Sequence, residues 1–206
     1  MKSYVRAIAI IGLAAAGCQP SWNKPAAAPA GYQTVAADPR RDTEKARRLN
    51  EQGAALAERG QLEAAQKTLK EALEADLFYG PAHNNLGSVY FRKKQFYLAA
   101  WEFQHAAKLM PAKAQPRNNL GMVFEATGRT DAAIENYEKA LAVEPGAFEP
   151  AANLARTMVQ DGRKDDRTRK LLEQVARTDP RPEWVAWAQE RLAALPKPEM
   201  SLPTPE

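Results

Sequence analysis

Small and apolar residues recur along the chain at intervals of 34 positions, which indicates a helical repeat. Three dipeptides at this spacing are Leu86-Gly87, Leu120-Gly121 and Leu154-Ala155. Three further series keep the same phase: Ala65, Ala99 and Ala133; Leu69, Phe103, Tyr137 and Leu171; Ala72, Ala106 and Ala140. Each unit therefore predicts two short antiparallel helices whose backbones approach at the small residues. Neither helix can bury its apolar face alone, so the units must stack into one continuous core.

The order of these residues resembles that of the tetratricopeptide repeat (TPR) family, over roughly residues 46–180. The resemblance implies an all-α fold, a short right-handed solenoid of about four helix pairs with a C-terminal capping helix. The predicted units are 46–79, 80–113, 114–147 and an irregular 148–180. In the last unit Arg167 stands where the pattern has alanine, and one inserted residue near 163–168 brings Leu172 and Pro180 into register.

The region after the repeats begins with the helix-breaking sequence Asp179-Pro180-Arg181-Pro182. Residues 181–196 then place apolar side chains, including Trp184 and Trp187, at helical spacing. We expect this segment to cap the array, because the end of a solenoid needs a cover. The alternative is that its tryptophans form a face that binds a partner. The proline-rich residues 197–206 predict a disordered tail.

The start of the chain has a different character, with Lys2 and Arg6 preceding the apolar run Ala7–Ala16. This run is shorter than the roughly 20 residues of a membrane-spanning helix, so residues 1–17 predict a secretory signal. Its end, Ala15-Ala16-Gly17-Cys18, resembles the lipobox of bacterial lipoproteins, which implies that Cys18 is acylated. A large aliphatic residue is usual where Ala15 stands, so ordinary cleavage without acylation is the alternative.

Residues 18–42 are rich in proline and alanine and predict a tether that carries the repeats. Gln19 follows the candidate lipid site. By resemblance to lipoprotein sorting in diderm bacteria, the lack of aspartate there favours an outer membrane lipoprotein that faces the periplasm. In a monoderm host the same cysteine would hold the protein on the outside of its only membrane. Either location is in the cell envelope.

Composition and charge argue against several other classes of function. The formal net charge of +4 shrinks once Lys2 and Arg6 leave with the signal, so nucleic-acid binding is not expected. The sequence contains no glycine-rich phosphate loop and no cluster of metal ligands. His83 and His105 lack nearby partners in sequence and are expected to be structural. We therefore expect no enzyme, no cofactor, no metal and no small-molecule substrate.

The first helices of successive units line one face of such a solenoid, and this face carries the candidate binding residues. Asn85, Asn119 and Asn153 occupy equivalent positions there. The resemblance implies that such asparagines can hold the backbone of an extended peptide, although they also serve local helix contacts in the family. Neighbouring candidates by helical spacing are Asn84, Asn118, Ser88, Arg92, Met122 and Arg156, with Asn50, Glu125 and Gln160 beside them. A clamp for a C-terminal carboxylate needs Lys and Arg at the positions where this chain has Asn50, Gln115 and Asn119. Recognition of a C-terminal carboxylate is therefore not expected.

These features predict a membrane-anchored adaptor of the cell envelope that binds a partner protein or extended peptide in a groove. A narrower alternative is a pilot lipoprotein that assists secretin assembly in a type IV pilus system. A scaffold for peptidoglycan hydrolases is another. An enzyme is the third class, and the candidate residues favour it least.

Overall fold

The computed structural model describes residues 41–196 of the 206-residue chain. The predicted signal at 1–17, Cys18, the tether up to residue 40 and the tail at 197–206 lie outside the described residues.

Within residues 41–196 the chain forms helices and no strands, which confirms the predicted all-α fold. The helices are α1 (Thr43–Glu58), α2 (Leu62–Ala75), α3 (Gly80–Arg92), α4 (Phe96–Leu109), α5 (Gln115–Ala126), α6 (Thr130–Val143), α7 (Phe148–Gln160), α8 (Asp166–Thr178) and α9 (Pro182–Ala194). Successive helices pack as antiparallel pairs, α1 with α2, α3 with α4, α5 with α6 and α7 with α8. None of the helices in this part of the chain has the length and apolar character needed to cross a membrane.

The turn inside each pair requires a residue in the left-handed backbone region. Gly60, Gly128 and Gly162 occupy it with φ of 79°, 72° and 77°. Glycine adopts this conformation without the penalty that a Cβ atom imposes. The second pair has Lys94 at this place, with φ of 58°. The structure therefore keeps one turn geometry in all four pairs, even where the sequence lacks glycine.

In the first three pairs the two helices meet where a glycine on the first helix faces a large side chain on the second. A Cβ atom added to Gly87 would lie 2.7 Å from the Phe103 ring, and one added to Gly121 would lie 2.5 Å from the Tyr137 ring. Both distances are too short for real contacts, so only glycine allows this approach. The rings themselves are buried, with 2% of Phe103 and 0% of Tyr137 exposed.

The fourth pair, α7 with α8, follows the repeat with one extra residue. Thr168, Leu172 and Val175 are the fully buried residues of α8, each one position beyond the 34-residue phase. Leu172, rather than Leu171, therefore takes the place of Tyr137. The longer connection ends at Asp165, whose side chain accepts a hydrogen bond from the backbone N–H of Thr168 at 2.8 Å and so caps α8.

Helix α9 covers the last pair by packing against α8. Ala188 is completely buried in the core of the third and fourth pairs, and Trp184 and Trp187 pack against the same core while remaining half-buried. The two tryptophan rings meet edge to face with centroids 5.5 Å apart. The predicted capping helix is thus present, and part of Trp184 and Trp187 remains open to solvent.

Candidate binding groove

The first helices of the pairs contact one another along the array, which places α1, α3, α5 and α7 in one row. We call the exposed side of this row the groove. Asn85, Asn119 and Asn153 lie on it, one on each of the last three helices, and all three are half-buried. The structure thus brings the predicted asparagine series to one face.

The groove asparagines are tied to a second asparagine series on the preceding helix. The amide Nδ2 of Asn85 donates to Oδ1 of Asn50 at 2.8 Å. Corresponding bonds join Asn119 to Asn84 at 3.0 Å and Asn153 to Asn118 at 2.9 Å. We call these three bonds the asparagine ladder. Each bond crosses from one helix pair to the next, so the ladder stabilises the stacking of units.

Two residues that helical spacing predicted for the groove are buried instead. Asn84 and Asn118 are only 4% and 5% exposed, and Asn50 is 8% exposed. Adjacent residues on a helix point about 100° apart, so only one asparagine of each neighbouring pair faces the groove. This corrects the assignment of Asn84 and Asn118, which accept the ladder bonds and are not available to a partner.

The groove asparagines keep hydrogen-bonding capacity after the ladder is formed. A side-chain amide has two N–H donors and one oxygen acceptor, and each ladder bond uses one donor. The second donor and the oxygen of Asn85 and Asn119 remain on the half-buried groove side. At Asn153 the oxygen accepts a long hydrogen bond of 3.4 Å from Arg156. The groove therefore offers donor and acceptor together at successive units.

The ladder has defined ends. Glu51 stands one period before Asn85, and Ala152 stands one period after Asn118. Trp187 of α9 occupies the place one period after Asn153. Neither glutamate nor alanine can continue the pattern of amide donor and amide acceptor. Three rungs are consequently all that the described units can form.

A small cavity of about 150 Å³ opens between α3, α4 and α5, beside Asn119. Its walls are mainly apolar and comprise Ser88, Phe91, Arg92, Phe103, Asn119 and Met122. We call it the apolar socket. Phe91 and Phe103 were not among the residues predicted for the site, because neither lies on the groove face of a helical wheel.

The equivalent place one unit further along is filled by a polar network of Glu125, Tyr137 and Arg156. The Tyr137 hydroxyl donates to Oε2 of Glu125 at 2.8 Å, and Nη2 of Arg156 donates to the same oxygen at 3.0 Å. Burial, together with the negative charge of Glu125, raises the pKa of the Tyr137 phenol. The Arg156 guanidinium also lies 5.4 Å from the ring centroid of Trp184. Arg156 is thus held in place by side chains of its own chain.

The remaining predicted groove residues make local contacts of different kinds. Ser88 donates through Oγ to the carbonyl of Asn84 at 3.0 Å. Arg92 is exposed at the rim of the apolar socket and donates to the carbonyl of Ala57 on the preceding pair. Met122 is half-buried in the socket wall. Of these three side chains, Arg92 is the most accessible to a partner.

His83 lies away from the groove, buried between α3 and α4 with 2% exposure. Its Nδ1 is 2.7 Å from Oε2 of Glu102, and its Nε2 is 2.9 Å from the carbonyl oxygen of Leu77. Two acceptors require two N–H donors, so this geometry fits the protonated ring. Burial opposes the charge, but the bonds to Glu102 and Leu77 outweigh burial and raise the pKa of His83. Among the described residues no group of three or more His, Cys, Asp and Glu side chains could hold a metal ion.

Several solved structures are similar to this chain. The first TPR of Spaghetti (RPAP3), bound to the HSP90 peptide SRMEEVD, is 25% identical with a TM-score of 0.58 and covers 61% of this chain and 100% of its own. MamA from Desulfovibrio magneticus RS-1 is 21% identical with a TM-score of 0.54, and the match covers 72% of this chain and 76% of the MamA chain. A mutant Thermobaculum terrenum O-GlcNAc transferase is 23% identical with a TM-score of 0.61, covering 66% of this chain and only 26% of the transferase. No curated protein matches the chain.

The last two likenesses concern the fold alone, whereas the family is shown by sequence profiles. Two profiles described as tetratricopeptide repeat match residues 78–144 and 124–189. Together they cover more than half of the chain, and they include α3, α5 and α7, which carry Asn85, Asn119 and Asn153. The helix pairs, the glycine contacts within them and these profile matches together show that the chain belongs to the tetratricopeptide repeat family.

Proposed function

We propose that this protein is a membrane-anchored adaptor of the cell envelope that binds an extended segment of a partner protein in the groove. The observation that carries the proposal is the asparagine ladder, which fixes Asn85, Asn119 and Asn153 on one face. Their amides are held from behind by the ladder bonds, so little side-chain entropy remains to be lost when a partner binds.

An extended segment suits this groove better than a helix does. The backbone of an extended chain leaves its N–H and carbonyl groups unpaired, and each groove amide can satisfy one of each. A helix has already paired these groups internally. The contacts would therefore select for an unfolded segment and contribute little preference for its side chains.

The apolar socket adds a preference at one position. It opens beside Asn119 and is lined by Phe91, Phe103 and Met122. One large apolar side chain of the bound segment would fill it and be removed from water. The next unit offers no such opening, because Tyr137 and Arg156 converge on Glu125 there.

The acidic peptide bound by the RPAP3 repeat domain is not a good guide to the ligand of this chain. That peptide, SRMEEVD, contains three acidic residues. In the groove described here, Gln115 and Asn119 are neutral and Asn50 is buried, so no cationic clamp is present at these positions. We do not propose recognition of a C-terminal carboxylate.

The membrane part of the proposal rests on the sequence of the first 18 residues. The apolar run Ala7–Ala16 and the lipobox-like end at Cys18 support export and acylation. Gln19 supports an outer membrane location facing the periplasm in a diderm host. A pilot lipoprotein for secretin assembly and a scaffold for peptidoglycan hydrolases are specific forms of the same adaptor.

The groove is tested by crosslinking the protein in its own host and recovering the captured partner. Replacing Asn85, Asn119 and Asn153 with alanine removes the groove amides and should abolish capture. The matched control replaces Asn50, Asn84 and Asn118 with alanine, which breaks the same three ladder bonds from the buried side. Both triple variants should lose similar stability, about 1 kcal/mol per bond. Capture at the wild-type level by the variant that lacks Asn85, Asn119 and Asn153 would refute binding through the groove amides.

The anchor is tested by metabolic labelling with a radioactive fatty acid. The wild-type chain should incorporate label and fractionate with membranes, and Cys18→Ser should do neither. Incorporation by the Cys18→Ser variant would rule out acylation at this residue. The pilot alternative adds that Cys18→Ser cells lose secretin multimers, so intact multimers in such cells would exclude it.

A further inference from the structure

The outer face of α4 and the loop before α3 expose five large apolar side chains. Leu77 is 61% exposed, Phe78 44%, Tyr97 83%, Leu98 42% and Trp101 46%. We call these residues the aromatic patch. Tyr97, Leu98 and Trp101 belong to α4, the second helix of its pair, whereas the groove is formed by the first helices of the pairs.

The fold does not require apolar residues at these positions, as the neighbouring units show. The residues one period before and after Tyr97 are Glu63 and Asp131, and all three are exposed. Trp101 corresponds in the same way to Lys67 and Glu135, which are also exposed. Charged residues satisfy the repeat at both places. The aromatic residues of the second unit therefore serve something other than packing.

Two members of the patch, Leu77 and Trp101, are held in place by the buried residues behind them. His83 bonds to the carbonyl of Leu77 and to Glu102, which joins the loop to α4. The Trp101 ring lies tilted against the His105 ring with centroids 4.0 Å apart and meets the His83 ring edge to face at 6.3 Å. Little ordering of Trp101 is then needed when the patch binds, because this side chain is already positioned.

The charges around the patch favour a negatively charged ligand surface. Lys94 and Lys108 are exposed at the two ends of α4, and the one acidic residue of this helix, Glu102, is buried against His83. Three acidic side chains of α2 and α6 are each paired with a cation: Glu63 with Lys93, Asp131 with Arg163 and Glu135 with Lys139. Exposed Trp and Tyr with flanking lysines are typical of residues at a membrane interface.

The chain enters the described structure beside this patch. Arg41 lies with its guanidinium 5.8 Å from the ring centroid of Phe78. The backbone N–H of Asp42 donates to the carbonyl of Ala75 at 2.9 Å, which fixes the entry point next to the loop. A chain leading from a lipid on Cys18 would thus join the body on the side that carries the patch.

We propose that the aromatic patch rests on the surface of a bilayer that contains anionic phospholipids, with Trp101 and Tyr97 inserted among the headgroups. This rests on the proposed acylation of Cys18. The anchor keeps the body near the bilayer, and the patch selects one orientation in which the groove faces away from the lipid. The partner segment then approaches from the aqueous side.

The test uses the full-length acylated chain in which Trp22, Trp184 and Trp187 are each replaced by phenylalanine, so that Trp101 is the remaining tryptophan. The protein is reconstituted in vesicles of phosphatidylethanolamine and phosphatidylglycerol, with or without bromine on the acyl chains. At the depth of roughly 5–10 Å reached by interfacial side chains, bromine should reduce Trp101 fluorescence by about half. Tyr97→Glu should remove this quenching. Lys67→Glu, at the place of Trp101 in the first unit, should not.

The outcomes separate this proposal from the anchor. Protein that floats with the vesicles but shows no quenching is anchored without docking, and the patch proposal is then wrong while the anchor stands. Failure to float would overturn the anchor and, with it, this orientation. If quenching is absent and Trp101→Glu abolishes a dimer observed by sedimentation equilibrium, a second copy of the chain covers the patch instead. Quenching that is unchanged in Tyr97→Glu also counts against docking through these residues.

Discussion

The helix pairs at 80–113 and 114–147 have the same backbone design and different chemistry on each of their surfaces. On the groove side the first has the open apolar socket, whereas the second has the network of Glu125, Tyr137 and Arg156. On the outer side Tyr97 and Trp101 of the first correspond to Asp131 and Glu135 of the second.

The interior of the two pairs also differs. His83 and Glu102 form a buried ion pair in the helix pair at 80–113, and the equivalent positions in the pair at 114–147 are Arg117 and Asn136. Both pairs retain the glycine that faces a large ring. The repeat therefore requires the close helix contact and tolerates different residues at these other positions. Features that one pair has and the other lacks are consequently the best indicators of function.

The largest expected difference between the two pairs comes from the buried ion pair. His83→Leu leaves Glu102 buried without its charged partner, which should lower the free energy of unfolding by about 3 kcal/mol. Arg117→Leu, at the equivalent place in the pair at 114–147, should change the free energy of unfolding by less than about 0.5 kcal/mol. Urea denaturation followed by circular dichroism measures both. Similar midpoints for the two variants would contradict the structural role of His83.

Replacing the two contact glycines should give stability losses that differ by less than those of His83→Leu and Arg117→Leu. Gly121→Leu is expected to cost about 1–3 kcal/mol, because the Tyr137 ring is anchored by its hydroxyl bond and cannot move aside. Gly87→Leu should cost less, since Phe103 has no hydroxyl and borders the apolar socket. Thermal unfolding of the two variants gives the comparison directly. An equal or larger loss in Gly87→Leu would show that the socket does not relieve the contact.

The pH dependence of stability should also originate in the helix pair at 80–113. Below the usual histidine pKa of 6.5, folded and unfolded chains both bind the His83 proton. Above 6.5 the unfolded chain releases this proton first, because the folded pKa is raised. Stability should therefore fall as pH rises through the folded pKa, by at most about 1.4 kcal/mol per pH unit.

The neighbouring titratable groups provide the control for this measurement. His105 and Lys108 face the same region, and burial followed by the charge of His83 lowers the pKa of His105. A lowered pKa affects stability as pH falls, so His105→Gln should keep the loss above pH 6.5, and Glu102→Gln should reduce it. Denaturation midpoints over a pH series measure this. A wild-type curve that is flat above pH 6.5 would exclude the protonated His83.

The smallest effect is expected from the hydroxyl that distinguishes Tyr137 from Phe103. Tyr137→Phe removes the hydrogen bond to Glu125 and should cost about 1 kcal/mol. The reciprocal Phe103→Tyr places a hydroxyl at the open socket and should change stability by less than about 0.5 kcal/mol. Calorimetry of both variants tests whether the polar network stabilises its unit. A neutral Tyr137→Phe would mean that Arg156 alone satisfies Glu125.

The 34-residue spacing was sufficient to predict the helix pairs, because small and large residues in phase leave few other ways to bury both faces. The connection before α8 was harder to place. Arg167 interrupts the alanine series, and only the burial of Thr168 and Leu172 shows where the extra residue is absorbed. A local insertion changes the register without removing the helix, so the periodicity weakens there while the fold persists.

The candidate site was less predictable than the fold. Helical spacing alone could not decide which of Asn118 and Asn119 is buried, because both lie near the boundary between the groove and the next unit. Likewise, the bond between His83 and Glu102 joins residues 19 apart on antiparallel helices, and no short motif records it. The apolar socket depends on Phe103, which the sequence identifies only as a core residue.

The two ends of the asparagine ladder have a consequence for how such a protein can change in length. Genes for repeat proteins grow by copying whole units. A copy of 114–147 would bring its own Asn118 and Asn119. Its Asn119 could donate a ladder hydrogen bond to the unit before it, and its Asn118 could accept one from the unit after it. A copy of 148–180 would not, since Ala152 offers no amide oxygen to the asparagine that follows it. Duplication is thus tolerated in the middle of the array, where it adds a position at which a partner can be held, and is penalised at its end.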